Sequence, residues 1–225
     1  MHIEPGVVDG AKIILSYATA AGALGLTAKL AADSIRNDGA GALVLRSVVT
    51  TALVFCFFEV LPHHPAGVSE VHLILGSTLL LLFGAGAAAV GLSAGLLLQG
   101  LFFAPFDLPQ YGMNVTTLLV PLWATSLLAA RIIPPRTAYV ELTYRQTLAL
   151  STTYQGGIVA WVAFWALYGH GFSVENLAAV GSFGAAYMSV ILLEPLIDLG
   201  VLAGAKALDR YSRGPMFNIR LHQAA

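Results

Sequence analysis

The chain has 225 residues, of which 57% are hydrophobic and 10% are charged, whereas soluble domains carry roughly 25% charged residues. The mean hydropathy is +0.78, and a soluble domain could not cover its surface with so few polar groups. We therefore expect an integral membrane protein, with residues 1–225 forming a single transmembrane domain in the lipid bilayer. The net charge of −1 excludes a basic face for nucleic acid, and Cys56 alone excludes a disulfide framework.

Apolar runs separated by polar or Pro/Gly-rich segments predict an all-α, polytopic bundle of seven transmembrane helices. Each span must be helical because backbone polar groups in lipid need internal partners. The third and fourth spans form one apolar run interrupted at Gly84-Ala85-Gly86, and a single helix there would far exceed the ~20 residues that a bilayer needs. The sequence leaves open whether residues 71–103 form two full spans or a re-entrant hairpin. The predicted spans are 11–31, 40–61, 71–86, 87–103, 114–133, 147–168 and 177–205.

The basic residues orient this bundle. With seven spans, nine of the eleven Lys and Arg residues fall in the loops after spans one and five and in the tail at 206–225. The positive-inside rule then predicts an outside N-terminus, a cytoplasmic C-terminus and a place in the cell (inner) membrane. The segment MHIEPGVVDGAK lacks the basic and apolar parts of a signal peptide, so we expect the chain to begin at its own Met1.

Motifs for enzymatic chemistry are weak in this sequence. No P-loop is present, so we expect that this chain does not hydrolyse ATP and is not an enzyme. Gly91–Gly95 matches the G-x-S-x-G pattern around Ser93, but that pattern needs a strand-to-helix turn, and here it lies inside an apolar helix. An intramembrane serine hydrolase using Ser93 with His72 or His170 is therefore a less favoured alternative.

Ionisable residues at membrane depth are few, and they usually face the bundle interior. The sequence leaves open whether they are functional or structural; they are Arg46, Glu59, Glu194 and Asp198. Small residues at four-residue spacing predict close helix packing, inside the bundle or against a partner. These pairs are Ala18/Gly22, Gly91/Gly95 and Gly200/Gly204.

Five of the six histidines lie on the predicted outer face. His63 and His64, between two prolines, indicate loop surface, and we expect little effect from replacing either by alanine. His2 differs because its bulk should preserve Met1. The free α-amine, the His2 amide nitrogen and His2 Nδ1 can then close a five-membered and a six-membered chelate ring. Such a planar set favours nickel, copper or cobalt, and one further imidazole would complete four nitrogens.

The start Met1-His2-Ile3 resembles the N-terminus of the CbiM/NikM proteins, the substrate-binding membrane components of energy-coupling-factor cobalt and nickel transporters. Three further segments are similar to that family in order and approximate spacing across residues 1–120. They are VHLILG at 71–76, QGLFF at 99–103 and GMNV at 112–115. The sequence departs from the family at Glu4-Pro5-Gly6, at Gly76-Ser77 and in the loop 104–111, which leaves the identity of the ion open.

The resemblance implies that Met1, His2 and His72 bind Co²⁺ or Ni²⁺. The ion is the transported substrate, and no resident cofactor is implied. The segment 1–10 would enter the bundle from outside. Glu70 and Asn114 are candidates for orienting these ligands, and either could instead cap a helix. The resemblance also implies three partners, which are a transmembrane coupling protein, cytoplasmic ATPase subunits and a small accessory membrane protein. A vitamin-binding component of the same transporter class is the alternative, and it would not need Met1 or His2.

Overall fold

The computed structural model describes residues 3–134 and 137–208. Within them the chain forms seven α-helices and one two-stranded hairpin. In chain order the elements are α1 (Ile13–Asp38), α2 (Ala40–Glu59), β1 (His64–Ala66), β2 (Ser69–Val71), α3 (Gly76–Phe83), α4 (Ala85–Phe102), α5 (Tyr111–Ile132), α6 (Tyr144–His170) and α7 (Val174–Leu208). The predicted tail at 206–225 begins within α7 and otherwise lies outside the described residues.

Five of these helices are long and apolar enough to cross a membrane, namely α1, α2, α4, α5 and α7. Helix α6 is long enough but is not among the five. Its first half carries polar side chains that face the interior, including the buried Thr147, Ser151 and Gln155. Helix α1 continues to Asp38, well beyond the predicted end at residue 31.

The predicted span 71–86 is not a full helix. Residues 72–75 have no regular secondary structure, and only the eight residues Gly76–Phe83 are helical. Eight residues rise about 12 Å, whereas the hydrocarbon core is ~30 Å thick. All eight side chains are buried, and an apolar run buried on all sides has no periodicity that distinguishes helix from extended chain. The break before α4 is at Gly84, where φ is +84°, as the glycines predicted.

The hairpin of β1 and β2 is absent from the all-α prediction. Its strands pair antiparallel, with His64 opposite Val71 and Ala66 opposite Ser69. Gly67 begins the two-residue turn with φ of +63°, a conformation that favours glycine. A Cβ at Gly67 would collide with the Ala179 carbonyl of α7, so the turn packs directly on that helix. Strands of three residues are too short to show an alternating pattern.

One end of the bundle gathers the N-terminal segment, the hairpin and the end of α6. Lys12 Nζ donates to the carbonyl oxygens of Tyr168 and Gly169 at 3.1 and 2.7 Å. His170 Nε2 lies 3.0 Å from the Gly6 carbonyl. A Cβ at Gly169 would collide with the Val7 carbonyl. Residues 3–12 are therefore seated closely on the last turn of α6.

The opposite end of the bundle joins the end of α5 to the start of α6, and the end of α1 to the start of α4. Gln146 Nε2 donates to the Ile132 carbonyl at 2.8 Å, and Gly86 lies against the Leu30 carbonyl. Most of the basic side chains of the described residues lie in the helix turns at this end: Lys29, Arg36, Arg131 and Arg145. The buried Arg46 forms an ion pair with Asp38 near the α1–α2 junction.

The Gly91/Gly95 pair packs helix α4 on helix α2. A Cβ at Gly91 would collide with Thr50, and one at Gly95 would press on Val54. Ser93 Oγ donates to the Ala89 carbonyl of the same helix at 2.8 Å. A serine within a continuous helix cannot form the nucleophile elbow of a hydrolase. The other predicted pairs differ, because no heavy atom lies within 4 Å of a Cβ built at Gly22, Gly200 or Gly204.

Helix α7 supports the non-helical residues 72–75 and the start of α3. Tyr187 OH donates to the His72 carbonyl at 3.3 Å. Asp198 accepts hydrogen bonds from the hydroxyls of Ser77, at 3.2 Å, and Thr78. Glu194, one turn earlier, accepts from Gln155 of α6 and lies beside the Leu75 backbone. Glu194 and Asp198 therefore both hold other elements of the bundle in place.

We expect Asp198→Ala to destabilise the protein, because it removes the acceptor of two buried hydroxyls. Leaving such groups without a partner costs about 1–3 kcal/mol, so thermal unfolding in detergent should begin several degrees lower. Asp33→Ala is the control, since Asp33 forms only exposed ion pairs with Lys29 and Arg36, which contribute roughly 0–1 kcal/mol. Equal unfolding temperatures for Asp198→Ala and the native protein would contradict the support assigned to Asp198.

Candidate metal site

His72 occupies the first position after β2, where the chain leaves the hairpin and enters the bundle. The residue is 1% exposed. Its Nε2 lies 2.9 Å from Glu70 Oε2, and the Tyr187 hydroxyl holds its backbone carbonyl. A carboxylate on one ring nitrogen fixes the orientation and tautomer of an imidazole that binds a metal through the other. The structure thus brings the predicted residue Glu70 onto His72.

Two further rings surround His72. Phe58 of α2 meets it edge-on, with ring centroids 5.1 Å apart. His63 stacks on it, with centroids 4.8 Å apart and an interplanar angle of 18°. The interpretation of His63 as loop surface is therefore incomplete, since His63 is exposed but also covers His72. No sequence signal points to this contact, because the hairpin that folds His63 back is not visible in the residue pattern.

The N-terminal segment runs beside the strand that leads to His72. Ile3 is 0% exposed, and its N–H donates to Asn114 Oδ1 at 2.9 Å. Ile3 also forms an isolated antiparallel bridge with Ser69, and the Glu4 N–H donates to the Val68 carbonyl at 3.3 Å. The predicted ligands Met1 and His2 lie outside the described residues, but the chain that directly follows them is fixed against β2.

Asn114 does not cap a helix. Helix α5 begins at Tyr111, so Asn114 lies within its first turn, 1% exposed, with its side chain on Ile3. Gly112, two residues earlier, lies against the Ser16 carbonyl of α1, where a Cβ would be too close. The GMNV segment therefore combines a close helix contact with a side chain that binds the N-terminal backbone.

Acidic side chains surround the N-terminal segment. The pKa of Glu4 is raised above its usual value, by partial burial and then by the negative charge of Glu70. Asp107, in the 3-10 turn before α5, is 8% exposed and lines a small cavity together with Gln99 and Asn114. Such acidic groups attract a cation and disfavour an anion at this end of the bundle.

The described residues do not form a metal site by themselves. Across 3–134 and 137–205, no group of three or more His, Cys, Asp and Glu side chains is placed to hold a metal ion. His72 is the one predicted ligand in this part of the chain. Glu70 lies beside His72, and Asn114 lies beside the N-terminal backbone. Sequence reasoning missed Phe58 and Tyr187, and the latter lies 115 positions along the chain from His72.

Comparison with known proteins is consistent with this architecture. A solved structure entitled "Crystal Structure of an transition metal transporter" shares the fold, with a TM-score of 0.64 and 18% sequence identity over 94% of this chain and 95% of that chain. No curated protein gives a significant match. Residues 2–209 match the CbiM family, described as the cobalt uptake substrate-specific transmembrane region. The chain therefore belongs to the CbiM family, as a substrate-specific transmembrane component for cobalt uptake.

Proposed function

We propose that this chain captures Co²⁺ or Ni²⁺ at the outer face of the cell membrane for ATP-driven uptake. The ion is held by the Met1 amine, the His2 amide nitrogen and imidazole, and the His72 imidazole. The observation that carries the proposal is the pairing of Ile3 and Glu4 with residues 68–69. It fixes the chain directly after His2 beside the strand that leads to His72.

Four nitrogens suit the proposed cargo. The α-amine has a pKa near ~8, so a metal can displace its proton at neutral pH. A deprotonated amide favours a planar arrangement, which Ni²⁺ and Co²⁺ both accept. Glu70 on Nε2 of His72 favours the tautomer with the proton there, and Nδ1 then becomes the nitrogen that binds the ion.

The distribution of charges supports an outside N-terminus. Lys29, Arg36, Arg131 and Arg145 lie in turns at the end of the bundle opposite the N-terminal segment, and positive charges favour the cytoplasmic side. Residues 72–75 have no regular secondary structure and precede the short buried helix Gly76–Phe83. We count this segment as a seventh crossing, in which a non-helical backbone is buried in protein.

The transport reaction needs partners, since the sequence has no P-loop. We assign ATP hydrolysis to cytoplasmic subunits, joined to this chain by a transmembrane coupling protein and a small accessory membrane protein. A vitamin-binding role is less well supported, because the family match concerns cobalt uptake and because a vitamin would not require the buried N-terminal segment.

One residue added before Met1 should abolish tight metal binding, although no side chain is lost. The new peptide bond converts the α-amine into an amide, which is a poor ligand, and moves the free amine out of the chelate ring. Calorimetric titration of Co²⁺ and Ni²⁺ into native, N-extended and C-extended protein measures the effect. We expect the C-extended control to bind like the native protein. Equal affinity of the N-extended form would exclude Met1 as a ligand.

His72→Ala should weaken metal binding by more than about a hundredfold, since it removes one of the four proposed nitrogens. His64→Ala is the matched control, because His64 is a nearby exposed histidine with no place in the proposed donor set. Equilibrium dialysis with each ion, followed by metal analysis, gives the occupancy. Native occupancy in His72→Ala would place the site elsewhere.

Gly169→Ala should also weaken binding, by about tenfold, without changing any proposed ligand. Its Cβ would displace the Val7 carbonyl and with it the segment that holds Ile3. Gly156→Ala is the matched control on the same helix, because no heavy atom lies within 4 Å of a Cβ there. If both variants keep native affinity in the same titration, the seating of residues 3–12 on α6 does not position the metal ligands.

A further inference from the structure

The exposed imidazole of His63 covers a buried one. His72 is 1% exposed, whereas His63 is exposed, and their rings stack with centroids 4.8 Å apart. Three other residues that contact His72 are less accessible, since Phe58 and Tyr187 are buried and Glu70 is partly buried. Of these four neighbours, His63 is therefore the one that an ion approaching from the solvent meets first.

Resting on the proposed function, we propose that His63 is a capture ligand, which binds the incoming divalent ion at the surface and passes it to His72. Neutral imidazole is a good ligand for first-row divalent metals such as Co²⁺ and Ni²⁺. An ion held on His63 stays within a few ångströms of His72, so the second binding step becomes intramolecular, with a high effective concentration.

The stacked geometry makes the two histidines act in sequence. The metal-binding lone pairs of an imidazole lie in the plane of its ring, and nearly parallel rings at 18° direct these lone pairs along parallel planes. One ion cannot be held well by both rings in this arrangement, so the transfer requires the His63 ring to turn away.

The segment that carries His63 permits such a turn. Residues 61–63 belong to no helix or strand, lying between the end of α2 and the start of β1. The ring contact of His63 with its own loop is long, at 3.4 Å from Nδ1 to the Leu61 carbonyl. His64, by contrast, is fixed in β1 opposite Val71.

A capture ligand changes rates and leaves the equilibrium alone. His63 is absent from the final donor set, so its loss should slow association and dissociation by the same factor. We expect His63→Ala and His63→Phe each to lower both rate constants for Co²⁺ and Ni²⁺ about tenfold, with the Kd within about twofold of native. His63→Phe keeps an aromatic ring on His72 and removes only the nitrogens, which separates ligation from packing.

The experiment is stopped-flow mixing of metal with purified full-length protein that has its native N-terminus. Dissociation is followed by transfer of the ion to a chelating dye. His64→Ala and His64→Phe are matched controls and should show native rates. Native rates in His63→Phe, or a raised Kd with unchanged association in His63→Ala, would overturn the capture role while the proposed function stands. Failure of the native protein to bind either ion would instead overturn the proposed function.

Discussion

The backbone of residues 72–74 lies inside the bundle and belongs to no helix, so its polar groups must find partners in the protein. Helix α7 provides one such partner, the Tyr187 hydroxyl at the His72 carbonyl, and its Asp198 holds the side chains of the first turn of α3. Leu75, at the junction, has φ of +53°, a left-handed conformation that costs a non-glycine residue roughly 1–2 kcal/mol. The position of His72 therefore depends on a helix more than 100 residues away in sequence.

The N-terminal segment is fixed by other helices. Asn114 of α5 binds the Ile3 backbone, and Gly169 of α6 lies directly against Val7. Two close approaches that only glycine permits, Gly67 on α7 and Gly169 on the N-terminal segment, seat the hairpin and that segment on the bundle. The N-terminal segment, which follows Met1 and His2, and the hairpin, which precedes His72, are thus held by contacts that involve none of the proposed metal ligands.

Composition and hydropathy were sufficient to predict a helical membrane bundle and the break at Gly84, because these follow from apolar content and glycine. Of the seven predicted spans, five correspond to described helices that are long and apolar enough to cross a membrane. Composition and hydropathy failed at residues 71–86, where burial on all sides removed the periodicity that identifies a helix. The motif resemblance pointed to His72, and Glu70 and Asn114 were expected to orient the ligands. The structure places Glu70 on His72 and Asn114 on the Ile3 backbone. Tyr187 and the His63 stack were beyond prediction, because both arise from tertiary packing between segments that share no sequence pattern.

The roles of the intramembrane acids illustrate how the sequence underdetermines function. Glu194 and Asp198 follow the pattern of a functional pair at i,i+4, yet Asp198 accepts from two hydroxyls of α3 and Glu194 accepts from Gln155. Arg46, equally suggestive in sequence, pairs with Asp38. Each of these ionisable groups connects one helix to another element. An ionisable residue inside a membrane bundle can therefore serve the site at a distance, by holding the segment that carries a ligand rather than by binding the ion.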